Sequence, residues 1–264
     1  MDNPVTRRGW LKLLGVGALG GMLGPASSAR AEEWCSPDQG ITGFRLCSEL
    51  LFPNQSDSLD VIVDKLLFGN ARYMSGDTIS HQLAFDNEEE LVTSQFPAVI
   101  VLSCADSRVV PELLLDQPRA KLFVCRVAGN LVTDEIVASV EYAVKVLDAR
   151  FLVVLGHSDC GAVQNAISLV QGRNTYPPEE FGQIRNLLER IAPAVRIAEG
   201  QPGPGSLLDK STNANAILNA QALAQLEPIL APAVGLGRLG VAAGHFDIGT
   251  GEATGLWASF RGSS

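Results

Sequence analysis

Pro97-Ala98-Val99-Ile100-Val101-Leu102-Ser103-Cys104 and Phe151-Leu152-Val153-Val154-Leu155-Gly156-His157 decide the fold. Each holds a short, unbroken apolar run, which suits a strand buried on both faces rather than one lying on an exposed sheet. Leu122 to Val127 and Leu239 to Ala243 read the same way, and Ala253 to Phe260 reads as an edge strand after the Thr250-Gly251 turn. Between these runs the period changes. Behind Ser and Asp cap candidates at Ser58, the residues Leu59, Ile62, Val63, Leu66, Leu67 and Tyr73 recur at helical spacing. Ile136, Val137, Val140, Ala143, Val144 and Leu147 line one side of a helix expected over 132–147, and further helices are expected over 162–170, 181–197 and 206–226. Strands alternating with helices predict an α/β fold with a mostly parallel central sheet of about four parallel strands plus an edge strand, flanked by helices. No internal repeat, low-complexity tract or linker interrupts the pattern, so residues 58–264 read as one domain behind an N-terminal, partly helical arm over 32–57.

The chain has 264 residues, 46% hydrophobic and 19% charged, enough apolar material for a large core and too little charge for a disordered chain. Five cysteines are too few for a disulfide scaffold. No uncharged apolar run reaches the roughly 18 to 20 residues that a bilayer span requires, so no stable membrane anchor is expected. A net charge of -9 argues against nucleic acid as a partner, because counterion release needs clustered Lys and Arg.

That charge is uneven: residues 1–31 carry +3 and leave -12 for the rest. Thr6-Arg7-Arg8-Gly9-Trp10-Leu11-Lys12 precedes a weakly apolar stretch, Leu13 to Leu23, and then Ala29-Arg30-Ala31, a small-x-small cleavage site. The three regions in this order resemble a bacterial twin-arginine signal peptide; the alternative is a basic helix that happens to precede glycines. The resemblance implies recognition by the twin-arginine export machinery, cleavage after Ala31 and a periplasmic mature protein beginning near Glu32. Cys35 and Cys47 lie in the arm, where an oxidising compartment would allow a disulfide across a short loop or leave two free thiols.

The chemistry-bearing residues follow the carboxyl ends of two expected strands, where open α/β sheets place their ligands. They are Cys104-Ala105-Asp106-Ser107-Arg108 and His157-Ser158-Asp159-Cys160-Gly161. His157 and Cys160 are three apart, a spacing that lets both converge on one ion at a strand-to-helix turn, and Cys104 joins them if the two strands are neighbours. Two thiolates and an imidazole favour Zn2+ over hard cations, and three protein ligands leave a fourth tetrahedral position open. A buried cysteine is also ordinary core filler, and Cys125 inside the third apolar run reads that way. His81 and His245 have no partner at ligand spacing and read as surface or internally satisfied histidines. Asp106 and Arg108 form either a surface ion pair of little worth or, beside a metal, an orienting pair. In the second case the carboxylate accepts a hydrogen bond from bound water, while the guanidinium holds it and depresses its pKa. Without that guanidinium, or at low pH, Asp106 could swing in as a fourth ligand.

Cys104-x-Asp106-Ser107-Arg108, Arg126-Val127-Ala128-Gly129-Asn130, Glu141-Tyr142-Ala143 and Gly156-His157-x-x-Cys160-Gly161-Ala162 together resemble the β-class carbonic anhydrases, over about Leu59 to Leu256. The resemblance implies Cys104, His157 and Cys160 as ligands of one Zn2+ per subunit and Asp106 with Arg108 as the catalytic dyad. It places Gln95, Phe123, Ala128 and Gly161 at the substrate pocket, with Gln95 reaching across a dimer interface. It also implies reversible hydration of carbon dioxide to bicarbonate and a proton by zinc-bound hydroxide, in a homodimer or a higher assembly of dimers. Relatives with a noncatalytic bicarbonate site carry tryptophan three residues before the first cysteine ligand; here that position is Val101, and Gly244-His245-Phe246-Asp247 offers no tyrosine. An open site at neutral pH without allosteric bicarbonate inhibition is therefore expected. A carbonyl sulfide or carbon disulfide hydrolase on the same fold would share the ligands and differ in pocket width. A nonenzymatic zinc- or bicarbonate-binding protein would have no use for the dyad.

Overall fold

The computed structural model describes residues 50–79 and 88–255. Its sheet contains β1 (Val99–Ser103), β2 (Leu122–Arg126), β3 (Phe151–His157), β4 (Gly240–Phe246) and β5 (Ala253–Thr254), in the order β2-β1-β3-β4-β5. The first four are parallel and β5 runs antiparallel to β4, as the apolar runs predict. Every residue of β1 is buried, because helices cover both faces of the sheet. Val99, Val101, Phe151, Val153, Leu155, Ala242 and Phe246 form one core layer; Ile100, Leu102, Leu152, Val154, Val241 and Ala243 form the other.

Nine helices of four residues or more are seen among the described residues: α1 (Leu59–Ser75), α2 (Glu88–Thr93), α3 (Pro111–Leu114), α4 (Asp134–Lys145), α5 (Gly161–Val170), α6 (Pro178–Phe181), α7 (Ile184–Glu199), α8 (Leu207–Ala224) and α9 (Leu230–Gly235). The Ser58 hydroxyl caps α1 by accepting the Val61 N–H, and Gly76, at φ 79°, ends it by donating to the Arg72 and Tyr73 carbonyls. α1 lays Ile62, Val63 and Leu66 on the first core layer. Ser206 and Asp209 form a reciprocal capping box at the start of α8, which covers the second layer with Ala216, Ala220 and Leu223. α5 and α7 meet in a third cluster, where Val163, Ala166 and Ile167 pack with Leu188, Ile191 and Val195.

Three features differ from the sequence reading. The helix expected over 181–197 is two helices, broken at Gly182 (φ 51°, ψ -126°), and α7 continues through Pro193 to Glu199. The helices α2, α3 and α9, of four to six residues, are too short to show a period. The compact unit begins at Phe52, inside the stretch read as arm. Phe52 is fully buried with the Arg72 guanidinium 5.7 Å from its ring centroid, and the Gln55 amide donates to the Pro97 and Leu147 carbonyls. Residues 1–49, with the signal-like segment, Cys35 and Cys47, lie outside the described residues, as do His81 and the expected edge strand beyond 255. Among the described residues no helix is long and apolar enough to cross a membrane.

Candidate metal centre

β1 and β3 are adjacent and in register from Val99 opposite Phe151 to Ser103 opposite Leu155. Cys104 therefore leaves β1 at the level where Gly156 and His157 complete β3. The chain then turns through Asp159, at φ 53°, a left-handed conformation that Asp tolerates better than most residues, and Cys160 is the residue from which α5 begins. This turn is tied to the end of β4: Ser158 donates its N–H to the Phe246 carbonyl at 2.9 Å, and its hydroxyl accepts the Ile248 N–H at 2.9 Å.

The result is the convergence the spacing suggests. Cys104, His157 and Cys160 are all buried, and their ligand atoms lie within 4.8 Å of one another. His157 Nδ1 is 2.8 Å from the Ser158 carbonyl oxygen; donation there leaves the Nε2 lone pair facing the sulfurs. That Nε2 is buried without a hydrogen-bond partner. An orphaned imidazole nitrogen beside two thiols is costly unless a further group satisfies it, and a soft cation such as Zn2+ fits this donor set.

The electrostatics favour a thiolate at Cys104. A hydrogen bond from the Cys160 thiol pulls its pKa down against the cost of burial, with the Gly129 and Asp106 amides acting in the same direction. The Gly129 N–H lies 3.3 Å from the Cys104 sulfur. The same contact holds the Cys160 thiol up, since two adjacent sulfurs resist a second negative charge. Cys125, on β2, is pushed up to about 11 by burial alone, in keeping with a core cysteine.

Beside the thiols, Arg108 grips Asp106 with both ends of its fork, Nε to Oδ1 at 2.9 Å and Nη2 to Oδ2 at 2.7 Å, while the Arg108 N–H adds a bond to Oδ1 at 3.0 Å. The guanidinium holds the Asp106 carboxyl well below the usual carboxylate range. Arg108 also donates to the Asp159 carbonyl at 3.2 Å and so joins the two strand-end loops. Asp106 is not among the converging ligand groups.

The structure does not bring every expected pocket residue together. Ala128, half-buried, opens the short turn Ala128–Asn130 whose middle residue contacts Cys104, and Gly161 is exposed at the start of α5 next to Cys160. Phe123 lies opposite Ile100, four residues back from Cys104 and so roughly 13 Å down the strand, with its ring 6.5 Å from that of Tyr142. Gln95 is exposed ahead of β1, at the end of the strand away from the metal ligands. Val101, at the position that carries tryptophan in bicarbonate-site relatives, is fully buried in β1.

Arg126 stands in one of the sequence motifs without a role assigned to it, and His245 is misplaced by the sequence reading. Arg126, at the end of β2, donates to the Cys104 carbonyl at 3.1 Å and the Asp106 carbonyl at 2.7 Å, bracing the backbone that presents both side chains. A lone charge closing a buried strand is the signal that could have found it. His245 is neither on the surface nor satisfied. It is half-buried on β4 opposite Gly156, its Nδ1 has no hydrogen-bond partner, and burial lowers its pKa.

A parallel sheet with a cysteine, a histidine and a second cysteine gathered beyond two adjacent strands defines an α/β scaffold with a thiol-imidazole group that could hold a metal ion. The family model for carbonic anhydrases matches residues 99–253, and the chain belongs to that family. It is 38% identical over 127 residues to carbonic anhydrase 2 of Mycobacterium tuberculosis H37Rv, covering 48% of this chain and 59% of that protein. It is 36% identical over 179 residues to a carbonic anhydrase of Pseudomonas aeruginosa PAO1, covering 66% and 79%. The chain thus spans somewhat under two thirds of the length of the mycobacterial relative. Among solved structures, the fold is similar to that of the β-carbonic anhydrase CcaA, with a TM-score of 0.58, 24% identity and coverage of 76% of this chain and 92% of that one. It is also similar to tetrameric β-carbonic anhydrases of Sordaria macrospora, with a TM-score of 0.57, 22% identity and coverage of 75% and 98%.

Proposed function

We propose that this protein is a zinc-dependent carbonic anhydrase of the β class that interconverts carbon dioxide and bicarbonate. The observation that carries the reading is the buried Cys104, His157 and Cys160 group, with its orphaned imidazole nitrogen, next to an Asp106 carboxylate locked by Arg108. Cys104, Cys160 and His157 Nε2 would hold the zinc. Bound zinc supplies a nucleophile at neutral pH by acidifying water, to roughly pKa 7 in carbonic anhydrases as a class.

The chain's own residues do the rest. His157 is aimed by its Nδ1 contact with Ser158. Arg108 keeps the Asp106 carboxylate ionised and out of the ligand set, and because Oδ1 already accepts two bonds from Arg108 and Oδ2 only one, Oδ2 retains a lone pair that can accept a hydrogen bond from the attacking water and orient it. The Gly161 amide, exposed beside Cys160, is suited to a substrate oxygen. In a dimer the partner's copy of Gln95 would complete the pocket, so activity should fall on dilution below the dimer dissociation constant. Export follows the same proposal: the paired arginines at Arg7 and Arg8 would send the folded, metal-loaded chain to the periplasm, and the secreted form should begin near Glu32.

The test is stopped-flow hydration of carbon dioxide by zinc-loaded protein, run beside hydrolysis of carbonyl sulfide and carbon disulfide, with Cys160→Ser as control. Hydration by the wild type well above the control supports the reading. Turnover of the sulfur compounds alone makes the protein a hydrolase on this fold, and no turnover of any of the three leaves a binding protein.

A further inference from the structure

The inward side of α8 is mixed: beside the apolar residues on the second core layer it turns polar side chains inward. Asn215, which is 2% exposed, and Asn219, one turn on, lie on the side of α8 that meets the 128–132 loop. Their amides read two backbone groups of opposite kind. The Val132 N–H donates to Asn219 Oδ1 at 2.9 Å, so Asn219 Nδ2 is left to donate, to the Asn215 carbonyl at 2.8 Å and to Asn215 Oδ1 at 3.2 Å. Asn215 Nδ2 must then point outward, and it donates to the Gly129 carbonyl at 2.8 Å. Both amide orientations follow from the backbone at the two ends of this chain of bonds.

Gly129 is the residue whose own N–H points at the Cys104 sulfur. It sits at φ 72°, and a Cβ there would meet Ile191 Cδ1 at 2.7 Å, so the loop approaches α7 as closely as a glycine allows. From these contacts we propose that Asn215 is a positioning residue for the metal centre. It clamps Gly129 through its carbonyl and thereby fixes the N–H···S bond to Cys104, with Asn219 setting the orientation of the clamp. The inference rests on the metal reading above and concerns how strongly the Cys104 sulfur donates to the ion. An N–H···S bond withdraws electron density from a thiolate, so its loss leaves a stronger and less firmly placed donor.

The experiment uses the full chain loaded with zinc or cobalt(II). Zinc affinity is read by competition with a chelating dye, and sulfur donation by the thiolate-to-cobalt charge-transfer band. Asn215→Ala is expected to weaken zinc binding by about 10- to 100-fold, the range for partners of metal ligands, and to move the band to lower energy. Asn219→Ala, at a half-buried site, shifts both in the same direction by less and covers the case in which Asn215→Ala does not fold. Leu223→Ala is the control, since it removes core volume from the same helix, one turn beyond Asn219, without removing any hydrogen bond of the clamp, and should leave affinity and band as in the wild type. Wild-type affinity and spectrum in both asparagine variants overturn the proposal, as does an equal loss in Leu223→Ala. Failure of the wild type to bind either metal overturns the metal reading and this inference with it.

Discussion

Two glycines in left-handed conformations allow the crowding at the metal loop to be separated from backbone strain. Gly76, at φ 79°, has nothing within 4 Å of a built Cβ, whereas Gly129, at φ 72°, has Ile191 Cδ1 at 2.7 Å. Alanine at either position takes on a left-handed penalty of about 1–2 kcal/mol, offset by about 0.4–1 kcal/mol from a stiffer unfolded chain. Gly76→Ala should therefore lower stability by about 0.5–1 kcal/mol. Gly129→Ala adds overpacking, because Ile191 is fully buried among Val163, Leu188 and Val195 and cannot simply turn away. That term is about 1–3 kcal/mol, giving a total of about 1.5–4 kcal/mol. Ile191→Val removes the offending methyl; alone it costs about 0.5–1.5 kcal/mol, but on top of Gly129→Ala it should recover most of the clash. The assay is urea unfolding of the wild type and the four variants without metal, followed by circular dichroism, with a coupling of about 1–2 kcal/mol expected between positions 129 and 191. Equal losses for Gly76→Ala and Gly129→Ala, or additive effects at 129 and 191, would refute the reasoning.

Arg108→Gln should cut carbon dioxide hydration by about 10- to 100-fold, and in metal-free protein the Asp106 carboxyl, followed by the NMR shift of its side-chain carbon, should titrate nearer its ordinary pKa of about 3.9. An unmoved titration would mean that the guanidinium does not hold the carboxylate. His245 makes stability fall in acid. Burial depresses its pKa and Asp209 and Asp247 oppose that, with His157 adding to it, so the unfolded chain takes up a proton below about pH 6.5 that the folded chain refuses. The contribution is intact above that pH and lost as pH drops through the window below it. His245→Gln should flatten the urea midpoint between pH 8 and 5.5 relative to the wild type, and unchanged curves would show that the ring is not buried. Arg72→Ala strips the guanidinium from Asp116, whose side chain is fully buried. Because Asp116 also accepts the Ile79 N–H, the cost should sit at the low end of that for breaking a buried pair, about 3 kcal/mol; a loss under 1 kcal/mol by the same unfolding assay would refute it.

The features legible in the sequence are those in which a side chain's identity decides its place. β1 and β3 show as unbroken Val, Ile and Leu runs because both their faces are covered, and the ligands stand out because cysteine and histidine are rare residues at strand ends. Backbone recognition leaves no such mark. Arg126 holds two carbonyls, and Asn215 and Asn219 hold a carbonyl and an amide, groups that every residue type offers. α8 coincides with the helix expected over 206–226, but its partly polar inward face gives no sign in the sequence of what it binds. The spacing of His245 from other ligand types says nothing of its burial, which strand alternation decides: Val241, Ala243 and His245 share one face, and that face is core.

The strand order explains why residues 53 apart in sequence make one site. From β1 the chain crosses to β2 on one side, and from β3 it crosses to β4 on the other. The connections leaving β1 and β3 therefore diverge, and an open parallel sheet has its crevice where they part. Cys104 stands on one lip, His157 and Cys160 on the other, and Arg108 spans them from Asp106 to the Asp159 carbonyl. Since side chains alternate along a strand, shifting β1 by one residue against β3 would turn Val99 and Val101 out of their core layer and swing Cys104 to the wrong face. The register that buries the first core layer is thus the register that gathers the ligands, and the site is held in shape by the whole sheet rather than by its loops alone.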